Sequence, residues 1–212
     1  MPASRIILGS RSPRRRELLA LLVPPEQIDV RPPLVLDELG FDGLASWLEI
    51  AQRLQRIARE KNDDVLTQRS DEGGLVLTAD TVIVASDADA RLQVLGQPPA
   101  DEFWRDAVRG WFQDLYAGRS HIAATAVCLT DRPTGRRLER IVQSHVWVRD
   151  DVEPLLDWYL STGESRGKAG GYALQGLASV FVTRVEGSIT NVVGLPLEVL
   201  VEMLPQLGWA LR

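Results

Sequence analysis

Lysine is almost missing from this sequence. Of its 24 basic residues only Lys61 and Lys168 are lysine, and all the others are arginine. A lysine kept in such a background marks a position where a compact ammonium cannot be exchanged for a planar guanidinium, unless it survives by chance. Cysteine is scarcer still. The single Cys128 excludes an internal disulfide, and within the apolar segment AVCL it reads as a buried, inert thiol rather than a nucleophile. That usage suits a reducing cytoplasm. The two histidines, His121 and His145, are too few and too far apart to suggest zinc. No apolar run approaches the roughly 18 residues that cross a bilayer, and the short IIL run after Arg5 is too brief for a secretory leader. Excess positive charge is lacking as well. A formal net charge of -5 argues against a nucleic-acid binder held by a general basic surface. Neither a membrane nor nucleic acid is therefore an expected partner.

The rest is ordinary for a globular protein: 45% hydrophobic and 25% charged residues in 212 positions. Repeats, linkers and low-complexity tracts are absent, so one domain over 1–212 is expected. RIIL, ended by Gly9, reads as a short buried strand, and Ser12-Pro13 as a helix start with Pro24 and Pro25 as its stop. Residues 26–41 read as strand and loop. Helical spacing from Leu44 to Lys61 predicts a long helix. LVLTADTVIVAS (75–86) is a strong strand. A loop with Pro98 and Pro99 leads to a helix near 101–116, where Trp104, Trp111 and Phe112 read as core. Segments 120–130 and 136–149 form a hairpin across DRPTG. A helix near 152–160, a glycine-rich loop at 163–176, a strand ASVFVTRV and a terminal helix GLPLEVLVEML complete the chain. Interleaved helices and strands predict an α/β fold with a mixed sheet.

Three features resist a purely structural reading. Arg14, Arg15 and Arg16 open the helix capped by Ser12, whose first turn is Pro13 to Arg15, and cations in that turn oppose the macrodipole at a few tenths to ~1 kcal/mol each. No glutamate completes a capping box there. Backbone amides, a hydroxyl and guanidinium groups thus converge just after a strand, an arrangement that suits a phosphate. A solvated basic turn beside Glu17 and Glu38 is the plainer alternative. The stretch is not a P-loop, because it lacks the GK[ST] ending. Asp80 is the second feature: strand alternation groups it with Val76, Val82 and Val84. A carboxylate among valines calls for a nearby cation, and such a group can be a metal ligand or a general base, or else cap an edge loop. Third, GKAGGYALQG (167–176) lets the backbone approach a ligand closely and adds the point charge of Lys168, unless it is simply a mobile surface loop.

Taken in order, SRSPRRRELL (10–19), AREK (58–61), TADTVIV (78–84), GKAGGYALQG (167–176) and GSITNVVGLP (187–196) resemble the Maf family of nucleoside-triphosphate pyrophosphatases. The resemblance implies a mixed twisted sheet with flanking helices, related to the inosine-triphosphate pyrophosphatases, and a cleft between two lobes. It implies cleavage of a nucleoside triphosphate between the α and β phosphates, a divalent metal (Mg²⁺, with Mn²⁺ as an alternative) and a homodimer. By the same resemblance Ser10, Ser12, Arg14 and Arg15 bind substrate, and Lys61 and Lys168 stabilise charge. Glu38 becomes an acidic cleft residue and Asp80 the proton acceptor, the two together holding the metal.

The family divides by substrate at three positions. This chain has Arg14, Thr81 and Gln175, which resembles the branch acting on dTTP and UTP; the branch acting on 7-methyl-GTP carries Trp, Gln and Glu there. A neutral amide at Gln175 offers both a donor and an acceptor to a uracil or thymine edge. One departure is Gly96-Gln97-Pro98, where family members carry an acidic residue and a lysine before the proline. It leaves open a weakly catalytic, nucleotide-binding regulator of septum formation, as well as a pyrophosphatase preferring 7-methyl-GTP or modified nucleotides.

Overall fold

The computed structural model describes residues 5–34, 40–68 and 73–211. Its spine is one mixed sheet. Two 12-residue strands, β3 (Leu75–Ser86) and β5 (Ser120–Asp131), run antiparallel at the centre, and β6 (Arg137–Val148) pairs with β5 as the expected hairpin. β7 (Val182–Glu186) closes that side. On the other side β1 (Ile6–Leu8) lies parallel to β3, and β2 (Ile28–Val30) parallel to β1. A strand not expected from the sequence, β4 (Leu92–Leu95), pairs antiparallel with the far end of β3.

This arrangement leaves a gap. β1 pairs with β3 only as far as Leu8 opposite Leu77, and β4 begins pairing only at Ile83. Between them, residues 78–82 of β3 have no strand on that edge among the described residues. Side chains from both faces of β3 can therefore reach one opening.

The helices differ from expectation mostly at their ends. α1 (Pro13–Leu19) starts where Ser12-Pro13 places it but stops at Ala20, before the prolines, so these end the following turn rather than the helix. α2 (Trp47–Thr67) begins later and ends later than the apolar spacing suggests. Its start is a capping box: Ser46 Oγ accepts from Glu49 N, and Glu49 Oε2 accepts from Ser46 N. Its extension carries Asn62, wholly buried, whose Nδ2 donates to the carbonyls of Val76 and Cys128 and whose Oδ1 accepts from Thr130. These bonds lock the helix to β3 and β5, and an apolar replacement would strand three buried polar groups at ~1–3 kcal/mol each. α3 (Trp104–Gly110) widens into a π-type turn over Trp111–Tyr116. α4 (Glu153–Ser161) matches expectation, whereas ASVFVTRV is a 3-10 turn (Leu177–Phe181) before it becomes β7. α5 (Ile189–Val193), a single short helix, precedes the terminal α6 (Leu197–Gln206).

Alternation along β3 and β5 sorts the core. Val82, Val84, Ala124 and Ala126 face α2. On the opposite face, Leu75, Leu77 and Val127 pack with α1 and α6, while Ile83, Ala123 and the aromatic residues of α3 and α4 form a separate cluster. Between those two apolar clusters sits one polar pair, Thr81 opposite Thr125. The two clusters are the cores of two lobes, and the opening lies between them.

Candidate active site

One wall is the segment after β1. Gly9 N donates to Leu77 O at 2.8 Å, and a Cβ on Gly9 would stand 2.6 Å from Thr78 Cγ2. Only glycine lets the chain lie this close to β3. Ser10, 5% exposed, accepts from Ser12 N at 3.2 Å, and Ser12 Oγ caps α1 by accepting from Arg15 N at 3.5 Å.

The three arginines part company here. Arg15 spreads its fork over protein acceptors: Nε donates to Gly194 O (2.9 Å), Nη2 to Thr81 Oγ1 (3.0 Å) and Nη1 to Ser10 Oγ (3.3 Å). It ties α1, β3 and the turn after α5 together. Because guanidinium can only donate, the hydroxyl protons of this cluster are ordered. Thr81 accepts from Arg15 and donates to Thr125 Oγ1 at 2.9 Å, and Thr125 donates on to Asn191 O at 3.2 Å. Asn191, fully buried, donates to Ala123 O and Ser144 Oγ. Arg14 is half-buried, lines the opening and makes no hydrogen bond or ion pair among the described residues. Arg16 is exposed and does not line it.

Asp80 projects from the other face of β3, and its cation is Lys61. Nζ stands 2.6 Å from Oδ1, with the two side chains 16% and 13% exposed. The pairing joins α2 to β3 across the residues of AREK and TADTVIV.

The second wall is the glycine-rich loop. It is not a mobile surface segment. Gly170 (φ +67°) donates to Gly96 O at 2.9 Å, and a Cβ there would lie 2.6 Å from both Ile83 Cγ1 and Tyr116 Oη. Tyr116 and Tyr159 hydroxyls donate to the carbonyls of Gly170 and Gly171. Tyr172 lines the opening and bonds His121 Nε2 at 2.7 Å. Burial, reinforced by His145, drives the His121 pKa down to about 3, so the ring is neutral. Gln175 is exposed at the rim of this wall. Lys168 does not line the cleft; its Nζ donates to Glu164 O. Burial, followed by the Arg14 guanidinium, lowers its pKa, with Glu164 opposing.

The walls enclose about 640 Å³. Arg11, Arg14, Arg15 and Lys61 line this space against one carboxylate, Asp80, among the described residues. In a chain of net charge -5 such a concentration of cations fits a polyanion. Gly96 and Gln97, which depart from the family pattern, also line it. Glu38 lies outside the described residues, whose His, Cys, Asp and Glu include no group of three or more able to hold a metal. Asp80 still supplies a hard oxygen at the opening. That suits Mg²⁺, which commonly takes one or two carboxylates and completes its shell with substrate phosphates and water.

Thr125, Asn191, Tyr172 and Arg11 escape a sequence reading of the site. Asn191 sits inside the GSITNVVGLP motif and Tyr172 inside GKAGGYALQG, so position within a motif is the signal that could have found them. Thr125 carries none, because only its register opposite Thr81 brings it there.

A two-lobed α/β protein with a cation-lined cleft at a break in its sheet is one built to take a highly charged small ligand. Residues 5–207 match the family described as Maf-like protein, and the chain belongs to that family. It is 35% identical over 208 residues to a protein of Syntrophus aciditrophicus named dTTP/UTP pyrophosphatase, covering 98% of this chain and 92% of that one. Proteins with the same name from Anaeromyxobacter sp. (39% over 210 residues; 97% and 91% covered) and Brucella abortus (36% over 207 residues; 97% and 92% covered) are similar along their lengths too. A solved nucleoside-triphosphatase (dITP/XTP pyrophosphatase) from Mycobacterium abscessus shares 13% identity over 69% of this chain and 73% of that one, at a TM-score of 0.41. That likeness is too loose to bear on the site.

Proposed function

We propose that the chain hydrolyses nucleoside triphosphates, dTTP and UTP foremost, to the nucleoside monophosphate and pyrophosphate. The observation that carries this reading is the charge of the cleft: among the described residues, four cationic side chains and one carboxylate around about 640 Å³. The names of the relatives support the pyrimidine preference.

In this mechanism Arg14 and Arg11, with Ser10, Ser12 and Arg15 behind them, hold the triphosphate. Lys61 balances Asp80 and faces the developing negative charge. Asp80 takes a proton from the water that attacks the α-phosphorus; the bond from that phosphorus to the α–β bridging oxygen breaks, and pyrophosphate leaves. Lys168 adds positive potential from behind the glycine-rich wall. Asp80, and Glu38 by the family resemblance, would hold a divalent cation, Mg²⁺ or Mn²⁺, which supplies Lewis acidity at the phosphates when bound. Catalysis of this kind rests on positioning and electrostatics. Thr81 and Gln175 select the base. The reading also takes residues 1–212 as one domain, the cytoplasm as the compartment and a homodimer as the assembly. The lone buried thiol supports the second of these, and the family resemblance the third.

A regulator of septum formation without useful catalysis is the competing reading, favoured by the neutral Gly96 and Gln97 at the cleft wall. Steady-state release of pyrophosphate from a panel of triphosphates decides between them. Pyrophosphate from dTTP and UTP at the highest kcat/KM supports the enzyme; none from any triphosphate supports the regulator; a preference for 7-methyl-GTP corrects the substrate.

A further inference from the structure

Gln175 reaches the cleft from a turn closed by one backbone bond, Gly176 N to Ala173 O at 3.1 Å, and braced from outside. The two N–H groups beyond Gly176, those of Leu177 and Ala178, open a 3-10 turn, and both donate to one carboxylate far away in sequence: Leu177 N to Glu164 Oε2 at 2.8 Å and Ala178 N to Glu164 Oε1 at 3.2 Å. Gly176 makes room for it. A Cβ at that position would lie 2.5 Å from Oε1 and 2.6 Å from Oε2, so the carboxylate rests where a side chain would be. Glu164 also anchors the other functional group of the loop, since its carbonyl accepts from Lys168 Nζ. Glu164 itself does not line the cleft.

We propose that Glu164 is a positioning residue for base selection: its carboxylate, seated against Gly176, fixes the turn that presents the Gln175 amide to the pyrimidine edge. The inference rests on the proposed function, because it takes Gln175 as the base-reading group. A charged acceptor on two backbone amides holds a turn much as a carboxylate caps a helix. Without it the single Gly176 N–Ala173 O bond is left to hold the turn, and a neutral donor–acceptor pair that is held less firmly discriminates poorly.

The test uses the full chain and four variants: Glu164→Ala, Glu164→Gln, Gly176→Ala and Gln175→Ala, with the double variant Glu164→Ala/Gln175→Ala. Two quantities are read: the ratio of kcat/KM for UTP over GTP, and the ratio of Kd for the non-hydrolysable α,β-imido analogue of dGTP over that of dUTP. Glu164→Ala is expected to shrink both ratios roughly five- to tenfold, mainly through KM. Glu164→Gln, which keeps an acceptor oxygen, recovers part of the loss. Gly176→Ala, which displaces the carboxylate without removing it, reproduces it. The double variant is expected to be no less selective than Gln175→Ala alone, the non-additivity of two residues acting as one unit.

A merely structural role would lower Tm and reduce activity on every nucleotide alike. Both ratios unchanged in folded Glu164→Ala and Gly176→Ala, or fully additive losses in the double variant, overturn the proposal. Should Glu164→Ala fail to fold, Gly176→Ala and Glu164→Gln decide the question in its place. Failure of the wild type to hydrolyse any triphosphate sinks the proposed function separately, and the binding ratios then still test Glu164.

Discussion

Lys61 Nζ and Asp80 Oδ1 lie 2.6 Å apart across the junction of α2 and β3, at the edge of the cleft. Both side chains are mostly shielded from water, so neither charge is cheaply left alone. Lys61→Met is therefore expected to lower stability by about 1–3 kcal/mol and to reduce kcat sharply, as it removes the 2.6 Å ion pair to Asp80. Asp80→Asn keeps a hydrogen-bond acceptor for Lys61 and should fold, yet lose about 10²–10⁴-fold in kcat as the proposed proton acceptor disappears. Urea unfolding beside dTTP turnover separates the two effects. Wild-type turnover in folded Asp80→Asn would remove Asp80 from the mechanism.

Arg14 and Arg15 are adjacent and should fail differently. Arg15 donates to Gly194, Thr81 and Ser10, so Arg15→Lys, which cannot reproduce the fork, is expected to cost about 1–3 kcal/mol of stability. Arg14 has no protein partner among the described residues. Arg14→Ala should leave Tm within about a degree or raise it slightly, because it removes a cation facing Lys168, while raising KM for dTTP about tenfold or more. Thermal scans and Michaelis plots of both variants check this. A Tm loss in Arg14→Ala as large as that in Arg15→Lys would contradict the division.

His121 makes stability pH-dependent in a known direction. Burial lowers its pKa from the usual 6.5 to about 3. Between those values the unfolded chain binds a proton that the folded chain refuses, so stability falls as pH drops through that window and is unaffected by this group above it. At pH 5 the loss is about 2 kcal/mol relative to pH 7.5. His121→Gln should lose stability at pH 7.5, through the bond to Tyr172, but show a flatter acid limb in urea titrations at the two pH values. An unchanged slope would mean that another group governs acid sensitivity.

Gly96 and Gln97 line the cleft, and a Cβ on Gly96 meets nothing within 4 Å. Gly96→Glu/Gln97→Lys therefore fits without strain. Restoring the charge pair of the family pattern should raise kcat/KM for dTTP by about three- to tenfold. If initial rates show no gain, the neutral pair is not what limits this chain.

How much of the fold and the site is legible in the sequence follows from the range of the forces involved. The apolar, β-branched run of LVLTADTVIVAS marks β3 to the residue, since a strand buried on both faces is written locally as such a run after the turn residues DEGG. Ser12-Pro13 likewise marks the start of α1. LQVL carries no such mark, because four residues in a proline-bounded stretch become a strand only by pairing with β3. α2 runs past Lys61 because buried Asn62, a polar residue, bonds distant carbonyls and Val65 beyond it packs with Ile7 and Val76. Motif residues Asp80, Lys61, Arg14 and Gln175, far apart in the chain, all line the cleft. What no local pattern conveys is the partnership: that Lys61 answers Asp80, that Arg15 is spent on protein acceptors, and that Lys168 turns to Glu164. Each depends on register or on a long-range loop contact.

Attack of water on the α-phosphorus within this cleft is tested most directly by hydrolysis of dTTP in ¹⁸O-labelled water, with the products resolved by mass spectrometry. The expected result is dTMP carrying one ¹⁸O and unlabelled pyrophosphate. Label in the pyrophosphate, or dTDP with labelled orthophosphate, would contradict it.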